Sequence, residues 1–178
     1  PLWLHLTYQA VHTGTGRTPP AWEQWGGKAD ADYVSAMFVL DNGIGNITAA
    51  MKNAGMWDNT VFMVTSDNGG DCGLPVQSSP KHVNGAPGFA SNWPLLGRKC
   101  TAWDGGTLTA AFVVGGLIPV ARRGTTNDAL FYITDWYVTF SNLAGVDPTD
   151  DWTDPLTNIA HGIDGVDVWP SLMAGSTP

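Results

Sequence analysis

Thr60-Val61-Phe62-Met63-Val64-Thr65 runs directly into Ser66-Asp67-Asn68-Gly69-Gly70. The first six residues favour β structure and show no polar alternation, the pattern of a strand covered on both faces. A carboxylate and an amide oxygen then stand at the strand end, followed by two glycines that let the backbone turn sharply. That combination suits a hard cation. Asp-Asn-Gly-Gly is also ordinary turn material, because Asn and Gly tolerate positive φ and Asp caps its own turn. The surrounding chain bears on which reading applies.

Upstream, Leu2-Trp3-Leu4-His5-Leu6-Thr7-Tyr8 is apolar-rich and reads as a strand, opening into a Gly, Thr and Pro loop over 9–20 with His12 just past the strand. From about Asp32 to Ala54, Tyr33, Met37, Leu40, Ile44, Ile47 and Met51 recur in steps of four and three, which predicts an amphipathic helix stopped by Gly55. Gly43 and Gly45 weaken that helix by roughly 1 kcal/mol each relative to Ala, so packing must hold it. Strand, helix, strand in this order suggests a parallel crossover unit. Ligands sit beyond the carboxyl ends of parallel strands, so His12 and Asp67-Asn68 are expected on one edge.

Downstream, 71–92 reads as a long loop rich in Gly, Pro, Ser and Asn, a length more often functional than idle. It delivers Asn92-Trp93-Pro94-Leu95-Leu96-Gly97-Arg98-Lys99. A further strand reads at Ala110 to Val114, a helix at Thr134 to Leu143 with Gly145 as its stop, and a turn-rich tail from Asp147.

Composition narrows the function classes. The 178 residues are 43% hydrophobic and 13% charged, enough to bury a core and suited to one domain or a large piece of one. A formal charge of −8 with eight Lys and Arg argues against a general nucleic-acid binder, which needs clustered cations for phosphates. No apolar stretch reaches the roughly 20 residues that span a bilayer, and Pro1 to Tyr8 lacks the features of a signal peptide. The chain starts without Met inside an apparent strand, so an upstream portion is expected. Cys72 and Cys100 fit no zinc spacing; a disulfide between them is preferred over two buried thiols. Asn46-Ile47-Thr48 is a glycosylation sequon that falls on the solvent side of the helical wheel and favours a secretory route, though such tripeptides also arise by chance.

His12, Asp67, Asn68 and Lys99 together supply what hydrolysis of an anionic ester needs. Oxygen ligands hold a divalent cation, the cation and Lys99 neutralise the transferring group, and His12 protonates the leaving oxygen. Taken singly, a loop His is more often a surface residue and Lys99 a solvated cation.

Several segments carry a resemblance in order along the chain. Tyr8-Gln9-Ala10-Val11-His12, Asp41-Asn42-Gly43-Ile44-Gly45-Asn46-Ile47-Thr48, Trp57-Asp58-Asn59-Thr60-Val61-Phe62, Ser66-Asp67-Asn68-Gly69-Gly70, Asn92-Trp93-Pro94-Leu95 with Gly97-Arg98-Lys99, and Asp164-Gly165-Val166-Asp167-Val168-Trp169 together resemble the type I sulfatases. Within that family they are most similar to the arylsulfatase B (N-acetylgalactosamine-4-sulfatase) branch. The resemblance implies an alkaline-phosphatase-like α/β sandwich with a mostly parallel central sheet flanked by helices, of which residues 1–178 are the central to C-terminal part. It implies calcium held partly by Asp67 and Asn68, with His12 on the sulfate and the leaving group and Lys99 on a sulfate oxygen. It also implies a sulfated glycan or aryl sulfate as substrate and a secreted, cell-surface or lysosomal location. Trp93, beside the Lys99 segment, is the best candidate for stacking on a sugar ring.

The resemblance has gaps. The family's formylglycine nucleophile arises in a C/S-x-P/A-x-R motif, and neither Cys72, Cys100 nor Ser78 lies in one. The paired Asp ligands of the family's first strand are absent too, so the nucleophile and the remaining calcium ligands are expected upstream. Asp104-Gly105-Gly106 stands where the family has Glu-Gly-Gly, and Leu96 and Leu108 stand where Arg is common. These departures leave room for a degenerate domain with a structural or glycan-binding role in an extracellular assembly. A phosphoesterase or phosphonate hydrolase of the same superfamily is a third reading.

Overall fold

The computed structural model describes residues 2–12, 31–70 and 90–174. The chain folds as two units, His5–Leu117 and Pro1–Leu4 with Ile118–Pro178.

In the first unit the helical periodicity yields α1, Ala31–Asn53. Gly55, at φ 67°, supplies the left-handed residue that ends it. The Gly55 N–H then donates to the Lys52 carbonyl at 3.0 Å and the Met56 N–H to the Met51 carbonyl at 2.9 Å, the paired bonds of a Schellman stop. The apolar stripe holds at Leu40, Ile44, Ile47 and Met51, each half-buried. Near the start of α1 the buried positions are instead Ser35 and Ala36, while Met37 is 45% exposed. Tyr8 lies against the helix where it has no side chain: a Cβ on Gly43 would sit 2.5 Å from the Tyr8 hydroxyl.

The apolar run at 60–65 yields β1, Phe62–Thr65, and the second predicted strand yields β2, Ala111–Val114. They pair with each other antiparallel, in the register Phe62↔Val114 to Thr65↔Ala111. Two expectations change here. Leu2 to Tyr8 is coil with every residue exposed, so the crossover of strand, helix and parallel strand is not formed among the described residues. β1 is half-buried rather than covered on both faces, because its only described strand neighbour is β2. A 3₁₀ turn at Trp57–Asn59 leads from α1 into β1. There Lys52 Nζ stands 5.1 Å from the centroid of Trp57 and the Thr60 hydroxyl donates to the Met56 carbonyl at 2.7 Å. A short helix, α2, Asp104–Thr107, precedes β2.

The second unit centres on α3, Asp135–Ala144. Gly145, at φ 71°, ends it with the same pair of bonds, from Gly145 to Asn142 and from Val146 to Ser141. Asp135 is buried and earns its place by accepting from the Tyr132 N–H at 2.7 Å and the Val166 N–H at 3.0 Å. Thr139, also buried, accepts from the Val168 N–H at 2.9 Å. The Asp164 to Trp169 segment is therefore laid along α3 by two side chains one helical turn apart. Trp136 and Phe140, with Trp3 edge-on to Phe140 at 5.2 Å, form the aromatic part of this unit. The tail adds a short helix, α4, Trp169–Ala174, that the turn-rich reading omitted, and an isolated bridge between Thr153 and Ala160.

Candidate functional site

The Ser66 N–H donates to the Ala110 carbonyl at 3.1 Å, which continues the β1–β2 ladder one step beyond the strands. From there Asp67-Asn68-Gly69-Gly70 leaves the pair, turned by the Ser66 hydroxyl, which donates to the Asn68 carbonyl at 2.8 Å. Gly69 is buried and its N–H donates to the Gly106 carbonyl at 3.0 Å. A Cβ on Gly69 would lie 2.7 Å from the Gly105 carbonyl carbon and 3.0 Å from the Gly106 Cα. The two Gly-Gly pairs thus allow backbone to lie directly on backbone.

Gly70 joins this loop to the next segment. Its carbonyl accepts from the Lys99 N–H at 3.1 Å and from Asn92 Nδ2 at 2.9 Å, and its own N–H donates to Asn92 Oδ1 at 2.8 Å. Asn92 Nδ2 also lies 3.3 Å from the Gly97 carbonyl, and the Gly105 N–H donates to the Leu96 carbonyl at 2.7 Å. Three stretches singled out in the sequence, Asp67–Gly70, Asn92–Lys99 and Asp104–Gly106, are therefore knotted together by backbone. In the sequence Asn92 stands out only as the start of a motif. The missing signal is long-range, since nothing in the sequence near residue 92 names Gly70 as its partner.

The chemistry-bearing side chains fall as follows. Asp67 is exposed, Asn68 and Lys99 are half-buried, and Asn68 Nδ2 donates to the Gly69 carbonyl at 2.8 Å, which leaves its Oδ1 as the end open to a cation. His12 is exposed in a turn closed by its N–H to the Gln9 carbonyl at 2.8 Å, on the segment that Tyr8 seats against α1. Trp93 is 87% exposed. Asn46 is exposed on α1, as the wheel predicted. Cys100 is an exposed free cysteine. Cys72, its expected disulfide partner, and Ser78 lie outside the described residues.

As a calcium site the loop fits in kind but not in number. Asp67 and Asn68 offer hard oxygen donors at a strand end, yet calcium takes six to eight oxygens. No group of three or more His, Cys, Asp or Glu suited to a metal occurs among the described residues.

The sulfatase family model matches residues 3–146, a span that contains His12, Asp67, Asn68, Lys99 and both Gly-Gly pairs. The chain belongs to the sulfatase family. It is 32% identical over 178 residues to arylsulfatase J of Mus musculus, covering 98% of this chain and 26% of that protein. It is 28% identical over 176 residues to N-acetylgalactosamine-6-sulfatase of Canis lupus familiaris, covering 98% of this chain and 29% of that protein. The sulfatase chain thus spans under a third of the length of these relatives. Among solved structures, Ps i-CgsB shares its fold with a TM-score of 0.73 at 23% identity, over 96% of this chain and 33% of that one. A second structure, of Ps i-CgsB in complex with k-i-k-neocarrahexaose, gives a TM-score of 0.72 at 23% identity over 95% of this chain and 33% of that one. No described helix of this sulfatase chain is long and apolar enough to cross a membrane.

Proposed function

We propose that residues 1–178 are the central to C-terminal part of a sulfatase catalytic domain, and that the longer protein hydrolyses sulfate esters of a glycan or an aryl alcohol. The observation that carries this reading is the bond from the Lys99 N–H to the Gly70 carbonyl, which fixes a cationic residue next to the Asp67-Asn68 turn. Lys99 pairs its ammonium with a sulfate oxygen in a half-buried position, where a charge pair is screened less than in bulk water. His12 is assigned the role of protonating the leaving oxygen. Asp67 and Asn68 would hold calcium together with carboxylates from the rest of the protein, and the ion would supply positive charge to the anionic ester, with a formylglycine outside this chain as the nucleophile.

Trp93 offers an exposed ring for a sugar face. The oligosaccharide complex of a protein with the same fold supports a glycan substrate, as does the name of the N-acetylgalactosamine-6-sulfatase relative. A 4-sulfated N-acetylgalactosamine, the arylsulfatase B preference, is one member of that class. The exposed sequon at Asn46 supports a secretory route to a secreted, cell-surface or lysosomal location. In the intact domain, strands from the rest of the protein extend β1–β2 into a mostly parallel sheet.

A second reading rests on Leu96 and Leu108, 64% and 44% exposed, where the family commonly places Arg, and on the shorter acid at Asp104. It makes the protein a degenerate sulfatase with a glycan-binding or structural role in an extracellular assembly. One experiment separates the readings: the full-length protein is assayed on matched aryl sulfate and aryl phosphate esters, with calcium and after chelation. Calcium-dependent sulfate release is expected. No turnover of either ester favours the degenerate domain, and a preference for phosphate favours a phosphoesterase.

A further inference from the structure

Lys99 and the Asp67-Asn68 turn come from segments far apart in sequence, and displacing a reacting group by about an ångström costs on the order of a hundredfold in rate. Their separation therefore needs a fixed spacer. One side-chain amide is built into the structure at that point: Asn92 accepts from the Gly70 N–H at 2.8 Å and donates to the Gly70 carbonyl at 2.9 Å and the Gly97 carbonyl at 3.3 Å. The Gly70 carbonyl is also the acceptor of the Lys99 N–H. One peptide thus receives both the spacer and the lysine segment.

The fit is specific to Asn. A donor and an acceptor must act side by side on the N–H and C=O of one residue, as a neighbouring strand would, and an amide on a single methylene provides them. Asp cannot donate and turns negative charge on the Gly70 and Gly97 carbonyls; Gln adds a methylene. Gly70 is matched to the amide, since a Cβ there would lie 3.1 Å from Asn92 Oδ1 and 2.5 Å from the Ala90 Cβ.

We propose that Asn92 is a positioning residue of the sulfatase site, holding the Asp67-Asn68 turn and the Gly97–Lys99 segment at the separation that calcium and sulfate require. The inference rests on the function proposed above. In the full-length protein, Asn92→Asp, Asn92→Gln and Lys99→Ala are compared with wild type for Tm, for the calcium midpoint by terbium displacement, and for kcat and KM on para-nitrophenyl sulfate.

Asn92→Asp is expected to raise the calcium midpoint about tenfold and to lower kcat by roughly 10–100-fold, the range seen when groups behind metal ligands are altered. Asn92→Gln, which keeps the amide and carries the same readouts should Asn92→Asp fail to fold, is expected to fall between. Combined with Lys99→Ala, Asn92→Asp should cost less than the product of the single effects. A variant pair that loses Tm but keeps the calcium midpoint and kcat within twofold overturns the inference and leaves the sulfatase function standing. A wild-type protein that neither binds calcium nor releases sulfate overturns both.

Discussion

Substituting Gly69 by Ala tests the backbone-on-backbone contact beneath the candidate site. The added Cβ would lie 2.7 Å from the Gly105 carbonyl carbon and 3.0 Å from the Gly106 Cα, and would strike the Gly105 carbonyl oxygen. Every one of these atoms is backbone, so no side chain can rotate away. Overpacking of this kind costs about 1–3 kcal/mol. Relief by parting the two segments breaks the 3.0 Å bond from the Gly69 N–H to the Gly106 carbonyl, another ~1 kcal/mol. The expected loss is about 2–4 kcal/mol, which for a chain of this size lowers Tm by roughly 4–16 °C. Gly45→Ala is the matched control. Gly45 is exposed in α1, a Cβ there meets nothing within 4 Å, and the change should stabilise by about 1 kcal/mol. Urea unfolding followed by tryptophan fluorescence reads both. If the two variants shift the midpoint in the same direction, or Gly69→Ala costs under about 1 kcal/mol, the close approach of the Gly-Gly pairs is wrong.

Lys99→Ala in the full-length protein should lower kcat/KM on an aryl sulfate by roughly 10²–10³-fold, the range for one charge-stabilising donor; wild-type turnover in that variant would remove Lys99 from the site. Gly145→Ala should destabilise by about 1–2 kcal/mol, because φ 71° is left-handed and costs an L side chain that much, and equal stability in thermal unfolding would contradict the helix stop. Asp154 accepts from the Thr157 hydroxyl at 2.7 Å and the Leu156 N–H at 2.9 Å, and these bonds, the Thr157 one foremost, hold its pKa below the ordinary carboxylate value. A lowered folded-state pKa means that this loop's carboxylate-dependent stability is complete above the unfolded value of about 3.9 and is lost only as pH falls through the lower folded value. A carboxyl NMR titration should place the Asp154 midpoint below that of an ordinary Asp, and Thr157→Ala should move it up; an unmoved midpoint would exclude the hydroxyl as the cause.

The parts of the fold legible in the sequence are those whose causes are local. α1 and its stop at Gly55, α3 and its stop at Gly145, and the β-favouring runs at β1 and β2 each carry their signal within a few residues. Strand direction is not local. The run at 60–65 looks the same whether its neighbour is parallel or antiparallel, and the apolar Leu2 to Tyr8 segment has strand composition without a strand partner among the described residues. α4 is too short for periodicity to register, and α2 contains Gly105 and Gly106, whose propensity opposes a helix. At the candidate site the sequence named Asp67, Asn68 and Lys99 by residue type. The bonds that tie them, through Gly70 and Asn92, are tertiary and had no spacing to reveal them.

The β1–β2 register carries an evolutionary consequence. Thr65 faces Ala111 across the pair and Ser66 is bonded to Ala110, so the chain leaves the ladder after Ser66 and re-enters it at Ala110. Closing so long an excursion already costs most of its entropy, and doubling it adds only about 0.6 kcal/mol. Length changes in that span that spare the bonded stretches 67–70, 92–99 and 104–106 are therefore cheap for the strand pair. Selection can vary the chain between those stretches while the bonds that seat the Asp67 turn stay as they are.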